Sequence, residues 1–323
     1  MPTFSLVLHR PQILIISVLL CITLYIFLNC FVLTTTEFKR YIYIVANNNN
    51  NNNNFSNANS YNEDMLYIIT QTYTRLTQRA ELTRLRNALS HVNLVHWIIV
   101  EDRADTTEAV ADVLETANVY QTTQLAVATN NACTREGGDR SSTKCPRGFK
   151  QRNLALDYII SLNPTHGSVI YFADDDNSYD VRIFEEMRNL TKFATWPVGF
   201  LGKRKYRAPI CDENGKVIDF YGWKGFPRIP GVPGDHRQFP IDMAAFAFKA
   251  GLLLTIQPFP KFTEKSSPGP FESDFIGKLI KDKSEIETKP NCRTVWVWHT
   301  QTKIPDTSQD ELDKVDPEIV KLI

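Results

Sequence analysis

Short apolar runs alternate with segments of helical spacing through the middle of the chain. The runs lie at residues 65–70, 94–100, 124–129 and 168–172. The amphipathic helices that the intervening spacing predicts lie at 75–90, about 107–116 and around 154–162. Alternating strands and helices predict a parallel sheet covered by helices, an α/β fold in which ligands bind beyond the carboxyl ends of the strands.

The pattern changes after Trp196. The rest of the chain contains shorter apolar runs among glycines and prolines, such as "WPVGFLG", "KVIDFYGW" and "PIDMAAFAF". Such runs are typical of a mixed, partly antiparallel sheet. The sequence therefore predicts one globular unit over residues 63–323, with a first half at 63–195 and a second half at 196–323.

The N-terminal region predicts a membrane anchor. Residues 13–33 form an uncharged run of 21 residues, which as a helix matches the thickness of a bilayer core. A cleaved signal peptide is the alternative, but its apolar core is shorter, about 7–15 residues, and no small-residue cleavage site is evident. We expect a cytoplasmic tail at 1–12, a signal anchor at 13–33 and a flexible, Asn-rich stem at 34–62.

The layout of the chain, more than its charge, indicates the orientation in the membrane. The charges that flank the apolar run do not decide the orientation. A short tail before a large folded region favours a single-pass protein whose folded part is lumenal. Two glycosylation sequons, at Asn54 and Asn189, are compatible with lumenal exposure.

Overall composition narrows the class of function. The chain has 36 basic and 36 acidic residues, and this neutral balance argues against nucleic acid as a partner. No cysteine or histidine spacing indicates a zinc site. Cys133 and Cys145 bracket a polar loop that would suit a local disulfide in an oxidising lumen, whereas Cys211 and Cys292 could pair or stay free.

Three consecutive carboxylates follow the apolar run at 168–172. Asp174, Asp175 and Asp176 repel one another, so their crowding costs stability unless positive charge lies close by. A hard divalent cation such as Mn²⁺ or Mg²⁺ would supply that charge, and an acidic surface turn that caps the next helix is the alternative. Other predicted strand ends carry polar residues too: Thr72, Tyr73 and Asp102. This repetition favours a ligand-binding crevice.

Several long motifs occur in a fixed order around the acidic residues. They are "LVHWIIVED", "PRGFKQRNLAL", "YFADDDNSY", "FEEM", "WPVG", "FPIDMAAFA" and "VWHT". Together they resemble the beta-1,3-glucuronyltransferases of glycosyltransferase family 43, over roughly residues 65–305. The resemblance implies a GT-A type α/β fold with a Rossmann-like, UDP-sugar-binding first half and a mixed-sheet, acceptor-binding second half. It also implies a type II protein of the Golgi membrane and a homodimer.

The resemblance also implies a reaction and the residues that carry it. The reaction is inverting transfer of glucuronate from UDP-glucuronate to a galactose-terminated glycan, with Mn²⁺ as cofactor. Glu272 matches the general base, which takes the proton of the attacking hydroxyl, and Asp176 matches the residue that grips Mn²⁺. Donor contacts are implied for Tyr73, Asp102, Arg147, Arg152, Asp174, Asp175 and His299. Acceptor contacts are implied for Arg237, Asp242 and Trp223.

Three positions depart from the family pattern. Arg207 stands in place of an acceptor-binding glutamate, while Gln301 and Pro268 stand in place of arginines. We expect the chain to use UDP-glucuronate still but to accept a different or broader set of galactose-terminated glycans.

Two other functions remain open on the residues alone. The first is a catalytically inactive Golgi protein that binds glycans or scaffolds an enzyme, against which the intact acidic residues and Glu272 argue. The second is a calcium-binding turn, which lacks the spaced oxygen ligands of such loops. Without the resemblance, Glu272 would be an ordinary first-turn helix glutamate and His299 a hydrogen-bonded structural histidine.

Overall fold

A computed structural model of the chain describes residues 63–129, 147–221, 237–263, 271–288, 292–304 and 306. The predicted tail, anchor and stem, at 1–62, lie outside these ranges. Within them, no helix is both long enough and apolar enough to cross a membrane.

Strands and helices alternate in the first half, as the hydrophobic pattern predicts. The strands of the described ranges are β1 (Leu66–Thr72), β2 (Val95–Glu101), β3 (Gln121–Ala126), β4 (Val169–Phe172), β5 (Ser178–Tyr179), β6 (Phe193–Thr195), β7 (Val198–Gly199), β8 (Tyr206–Cys211), β9 (Val217–Tyr221), β10 (Phe246–Lys249), β11 (Glu287–Thr288) and β12 (Val297–Trp298). The α-helices are α1 (Gln78–Leu89), α2 (Glu108–Glu115), α3 (Phe149–Ser161), α4 (Arg182–Arg188), α5 (Ala250–Leu254) and α6 (Phe271–Leu279). Short 3-10 helices occupy Leu201–Lys203, Met243–Ala245 and Lys283–Glu285.

A seven-stranded sheet in the order β11-β6-β10-β4-β1-β2-β3 forms the centre of the fold. Its strands β4, β1, β2 and β3 are parallel neighbours, which confirms the predicted parallel sheet. The chain order reverses at β1, because β2 and β3 lie on one side of it and β4 on the other. In open α/β sheets such a reversal opens a crevice beyond the carboxyl ends of the strands.

The second half completes this sheet and adds a smaller one. β10 lies antiparallel between β4 and β6, so residues after 196 contribute directly to the central sheet. The smaller sheet has the order β5-β12-β7-β8-β9 and mixes parallel and antiparallel pairs. Because β5 precedes residue 196 and β12 follows it, the two halves are interlocked.

Two element boundaries differ from the predicted ones. β3 begins at Gln121 and ends at Ala126, because polar residues are tolerated on a strand at the edge of a sheet. α3 begins at Phe149, well before the predicted apolar spacing starts. Its first turns bury the polar residues Gln151 and Arg152, so apolar spacing could not reveal them.

Aromatic side chains fill the space between the central sheet and α6. Phe172 of β4 and Phe275 of α6 are fully buried, and Phe262 stacks on Phe275 with ring centroids 4.1 Å apart. Phe271 precedes Phe275 by one helical turn and is also buried. These contacts seat the first turn of α6, where Glu272 lies, against the core.

Candidate active site

The acidic turn, residues Asp174–Asn177, follows β4 at the crevice between β4 and β1. The Asp174 carboxylate accepts a hydrogen bond of 2.5 Å from Gln71 Nε2, near the end of β1. It also forms an ion pair of 3.4 Å with Arg152 Nη2 on α3. A positive charge of the protein therefore faces the first carboxylate.

Asp175 is also paired within the protein. Its carboxylate accepts a hydrogen bond of 2.6 Å from Thr72 Oγ1 and lies 2.8 Å from Arg75 Nη2. Burial raises the pKa of Asp175 to about 6, and Arg75 and Thr72 offset only part of that rise. The guanidinium of Arg75 also pairs with Glu81 and lies 4.5 Å from the centre of the Tyr73 ring.

The sequence pattern did not indicate Arg75 as a site residue. The signal was a cation three residues beyond the end of a crevice strand, but the helical spacing of 75–90 assigned it to a helix. Two of the three adjacent carboxylates are thus balanced by Arg75 and Arg152. Among the described residues, Asp176 is the member of the three that forms no ion pair.

Asp176 has a different environment from its neighbours. Among the described residues, none donates a hydrogen bond to its carboxylate. Burial and repulsion from Asp174 raise the pKa of Asp176, and the nearby His299 opposes that rise. Carboxylate oxygens suit a hard divalent cation such as Mn²⁺ or Mg²⁺. The described residues contain no group of three or more His, Cys, Asp or Glu able to hold a metal ion.

Arg152 joins the acidic turn to the carboxylates of the second half. Its side chain is only 6% exposed and lies near the Phe262 and Phe271 rings, at 5.8 and 5.6 Å from their centres. Burial lowers the pKa of Arg152, while the negative charges of Asp174, Glu272 and Asp242 oppose that effect. One guanidinium therefore interacts with both sides of the crevice.

The close approach of Arg152 to the chain depends on a glycine. Its Nη1 donates a hydrogen bond of 3.0 Å to the Arg147 carbonyl. Gly148 precedes α3 with a φ of 72°, and a Cβ there would lie 2.6 Å from Arg152 Nη1. Any larger residue at 148 would displace the guanidinium.

Glu272 and Asp242 form a second pair of crowded carboxylates. Asp242 precedes the 3-10 helix Met243–Ala245 and accepts a hydrogen bond of 3.1 Å from Ala244 N. Burial raises the pKa of Glu272 to about 7, and repulsion from Asp242 adds to the rise, whereas Arg152 and Arg237 oppose it. Burial likewise raises the pKa of Asp242 to about 6. A carboxylate that titrates near neutral pH is suited to general acid–base chemistry.

His299 lies beyond β12, next to the acidic turn. Its Nδ1 is 2.8 Å from Asn177 Oδ1, and its Nε2 is 2.9 Å from Gln301 Nε2. The ring is therefore held from both sides, and Gln301, which departs from the family pattern, is one of its two partners.

The remaining predicted donor residues line the outer part of the crevice. Asp102 follows β2, and its carboxylate accepts hydrogen bonds from Thr129 N at 2.6 Å and Thr129 Oγ1 at 2.7 Å. Tyr73 follows β1 beneath the Arg75 guanidinium. Arg147 is exposed. Asp102 thus fixes the chain that leaves β3.

The second half contains a small pocket at Asp242. It is lined by Trp196 and Phe220 together with Arg207 on β8 and Asp242. The positive charge of Arg207 opposes the rise in the pKa of Asp242 that burial causes.

Several predicted residues remain without structural detail. Trp223, Pro268, Asn54, Cys133 and Cys145 lie outside the described residues. Asn189 is exposed at the end of α4. Cys211 and Cys292, which the sequence left open, form a disulfide with Cα atoms 6.2 Å apart.

Fold and site together are those of an α/β enzyme whose crevice brings carboxylates and arginines together beyond the ends of parallel strands. The model of glycosyltransferase family 43 matches residues 85–303. The chain belongs to glycosyltransferase family 43. The family inferred from the motifs is confirmed, and the parallel sheet with its mixed second half agrees with the predicted GT-A type α/β fold.

Curated relatives are similar over most of the chain. Galactosylgalactosylxylosylprotein 3-beta-glucuronosyltransferase 1 of Homo sapiens is 37% identical over 244 residues, which cover 74% of this chain and 70% of the relative. Galactosylgalactosylxylosylprotein 3-beta-glucuronosyltransferase 2 of Homo sapiens is 40% identical over 244 residues, which cover 74% and 69%.

Solved structures are more distant. TarS 1–349 of S. aureus in complex with UDP-GlcNAc is 14% identical with a TM-score of 0.45, and the match covers 76% of this chain and 60% of TarS 1–349. The mannosyltransferase PcManGT from Pyrobaculum calidifontis, in complex with GDP-Man and Mn²⁺, is 14% identical with a TM-score of 0.42, over 87% and 66% of the two chains.

Proposed function

We propose that this chain is an inverting beta-1,3-glucuronosyltransferase. It moves glucuronate from UDP-glucuronate to a galactose-terminated glycan of a glycoprotein or a proteoglycan linker. The names of relatives that are 37–40% identical support this donor and acceptor class. One observation of the site carries the proposal: Arg152 pairs with the acidic turn and also interacts with Glu272 and Asp242.

This position of Arg152 supports a crevice in which a phosphate-bearing donor would bind next to a proton acceptor. In the proposed reaction Glu272 takes the proton of the acceptor hydroxyl while the hydroxyl oxygen forms a bond to the anomeric carbon of glucuronate. The bond from that carbon to the UDP oxygen breaks, and UDP leaves with the bonding electrons. A pKa near 7 lets Glu272 accept the proton from the hydroxyl and release it to solvent afterwards.

The cofactor of the proposed reaction is a divalent metal, with Mn²⁺ as our choice. Asp176 would hold it, because its carboxylate is the member of the acidic turn without a hydrogen-bond donor among the described residues. When bound, the ion supplies positive charge where negative charge develops on the departing diphosphate. Arg152 and Arg75 keep the neighbouring carboxylates from competing for that charge.

We also propose that the chain is a single-pass type II protein of the Golgi membrane with its catalytic part in the lumen. The uncharged run at 13–33 and the exposed Asn189 sequon support this location. The disulfide between Cys211 and Cys292 supports it independently, because such bonds persist in oxidising compartments. A homodimer is the proposed assembly.

Transfer assays on the full-length chain in detergent test the proposed reaction. Purified protein is incubated with Mn²⁺, UDP-glucuronate and an array of galactose-terminated glycans, and UDP release and glucuronylated product are measured. We expect Glu272→Ala to lower kcat by about 10²–10⁴-fold, the usual contribution of a general base, while UDP still binds. The Asp274→Ala variant is a matched control, because Asp274 is exposed on the same turn of α6.

The outcomes separate the proposal from its alternative. Native UDP binding without transfer to any glycan would favour an inactive glycan-binding protein. Transfer by Glu272→Ala at the native rate would show that another group accepts the proton.

A further inference from the structure

Arg84 on α1 contacts two segments that are distant from it in sequence. Its Nε donates a hydrogen bond of 3.2 Å to the carbonyl of Asn177, the last residue of the acidic turn. Its Nη1 donates a hydrogen bond of 3.2 Å to Thr302 Oγ1, beyond β12. One side chain therefore joins the acidic turn to the C-terminal part of the described chain.

The C-terminal strap, residues His299–Thr302, also bonds directly to the acidic turn. Gln301 N and Thr300 Oγ1 both donate to the Asp176 carbonyl, at 3.2 and 3.1 Å. The His299 ring, at the start of the strap, forms a hydrogen bond with Asn177 Oδ1. Because Arg84 holds the next carbonyl, both peptide units that follow Asp176 and Asn177 are fixed.

This main-chain anchoring matters for the Asp176 side chain. Asp174 and Asp175 are oriented through their carboxylates, by Gln71 and Thr72 respectively. The Asp176 carboxylate has no such donor among the described residues. The direction of the Asp176 carboxylate therefore depends on how the main chain of the acidic turn is held.

Stability alone does not account for an arginine at position 84. Its third guanidinium nitrogen, Nη2, is buried and has no hydrogen-bond partner in the described part of the chain. An unpaired buried donor costs free energy. An apolar side chain of similar length would pack there without that cost but could not hold the turn.

We propose that Arg84 is a positioning residue for the metal-binding carboxylate. It clamps the acidic turn against the C-terminal strap and so aims Asp176 at the donor diphosphate. This inference rests on the proposed function, because it takes Asp176 as the metal ligand. It assigns a role in metal binding to a residue of α1 that bonds to the main chain of the acidic turn.

Metal titration of the full-length chain in detergent tests the role of Arg84. Bound Mn²⁺ is measured with saturating UDP from the electron paramagnetic resonance signal of free Mn²⁺, and thermal unfolding is followed in parallel. Arg86→Ala is the matched control, because Arg86 lies on the same helix and donates instead to Thr116 Oγ1. The test variants are Arg84→Ala, Arg84→Lys, Thr302→Val and the double variant that combines Arg84→Ala with Thr302→Val.

We expect Arg84→Ala, which removes both contacts of the side chain, to weaken Mn²⁺ binding about tenfold. Thr302→Val removes only one of them and should weaken Mn²⁺ binding about threefold. The double variant should bind no more weakly than Arg84→Ala, because both changes break the same connection. Arg84→Lys should recover part of the loss, since one ammonium can keep one of the two contacts. Arg86→Ala should match the native chain.

Native Mn²⁺ affinity in the folded Arg84 and Thr302 variants would overturn the proposal, whatever their thermal stability. If Arg84→Ala does not fold, Arg84→Lys and Thr302→Val decide the question. Failure of the proposed function is distinguishable: the native chain would bind Mn²⁺ and UDP without transferring glucuronate, while the Arg84 effect on Mn²⁺ binding persisted. A native chain that binds no Mn²⁺ would overturn both.

Discussion

The two sides of the crevice both crowd carboxylates, but they stabilise them differently. On the donor side, Asp174 and Asp175 each face an arginine at 3.4 and 2.8 Å. On the acceptor side, Glu272 and Asp242 repel each other, and burial raises their pKa values to about 7 and about 6. The ion pairs of Asp174 and Asp175 order the turn, whereas Glu272, whose pKa burial and Asp242 raise to about 7, can exchange a proton near neutral pH.

The largest predicted effect is a loss of transfer and of Mn²⁺ binding on substitution in the acidic turn. Asp176→Ala should lower transfer at least about 100-fold and abolish Mn²⁺ binding, because it removes the carboxylate left free for a cation. Asp175→Asn should keep Mn²⁺ binding within about threefold, because Asp175 is already engaged by Arg75 and Thr72. Initial rates and Mn²⁺ titrations of both variants check this. An equal loss of Mn²⁺ binding in the two would mean that the carboxylates act as one ligand set.

A smaller effect is expected in the pH dependence of transfer. In the proposed reaction Glu272 can accept a proton only when it is deprotonated, so kcat/KM should rise with pH through about 7 and level off above it. Asp242→Asn removes a negative charge that raises the pKa of Glu272. The rising limb should therefore move to lower pH, by about half a unit.

Only the position of the rising limb is compared, because Asp242 also lines the pocket of the second half. Arg237→Gln provides the opposite change, since Arg237 opposes the rise in the pKa of Glu272. Its limb should move to higher pH. Limbs that coincide in all three proteins would assign the titration to a different group.

Much of the fold follows from the hydrophobic pattern. Four apolar runs predicted the parallel strands, because buried strands of parallel sheets are apolar on both faces. Because the carboxyl ends of parallel strands meet at one edge of the sheet, the positions of Asp102 and the acidic residues after strands predicted that they share one crevice. Residues 124–129 were misplaced by three positions, because the polar start of β3 carries no apolar signal.

The contacts that complete the site could not be predicted in this way. Arg84 and Thr302 are 218 positions apart in sequence, and no local spacing encodes such a pair. Arg75 was assigned to a helix by its neighbours. Glu272 read by itself is a first-turn helix residue, and its raised pKa arises only where Asp242 and the surrounding aromatic core bury it.

The smallest predicted effect is a change in stability that arises from Glu272 alone. The pKa of Glu272 is about 7 in the folded chain and about 4.3 in an unfolded one. Between these values the folded state binds more protons, so this group makes the chain less stable as pH rises from about 4 to 7. Glu272→Gln removes that loss and should stabilise the chain at pH 8 by about 1–2 kcal/mol, after allowance for partial exposure.

At pH 4 the same variant should gain almost nothing, because the native glutamate is then protonated in the folded state and mostly protonated in the unfolded one. Thermal unfolding at the two pH values measures the difference, which should correspond to about 2–6 °C at pH 8. Asp274→Asn, exposed on the same helix, should show no such pH-dependent gain. A Glu272→Gln variant that is equally stable relative to the native chain at both pH values would mean that Glu272 titrates at its ordinary pKa.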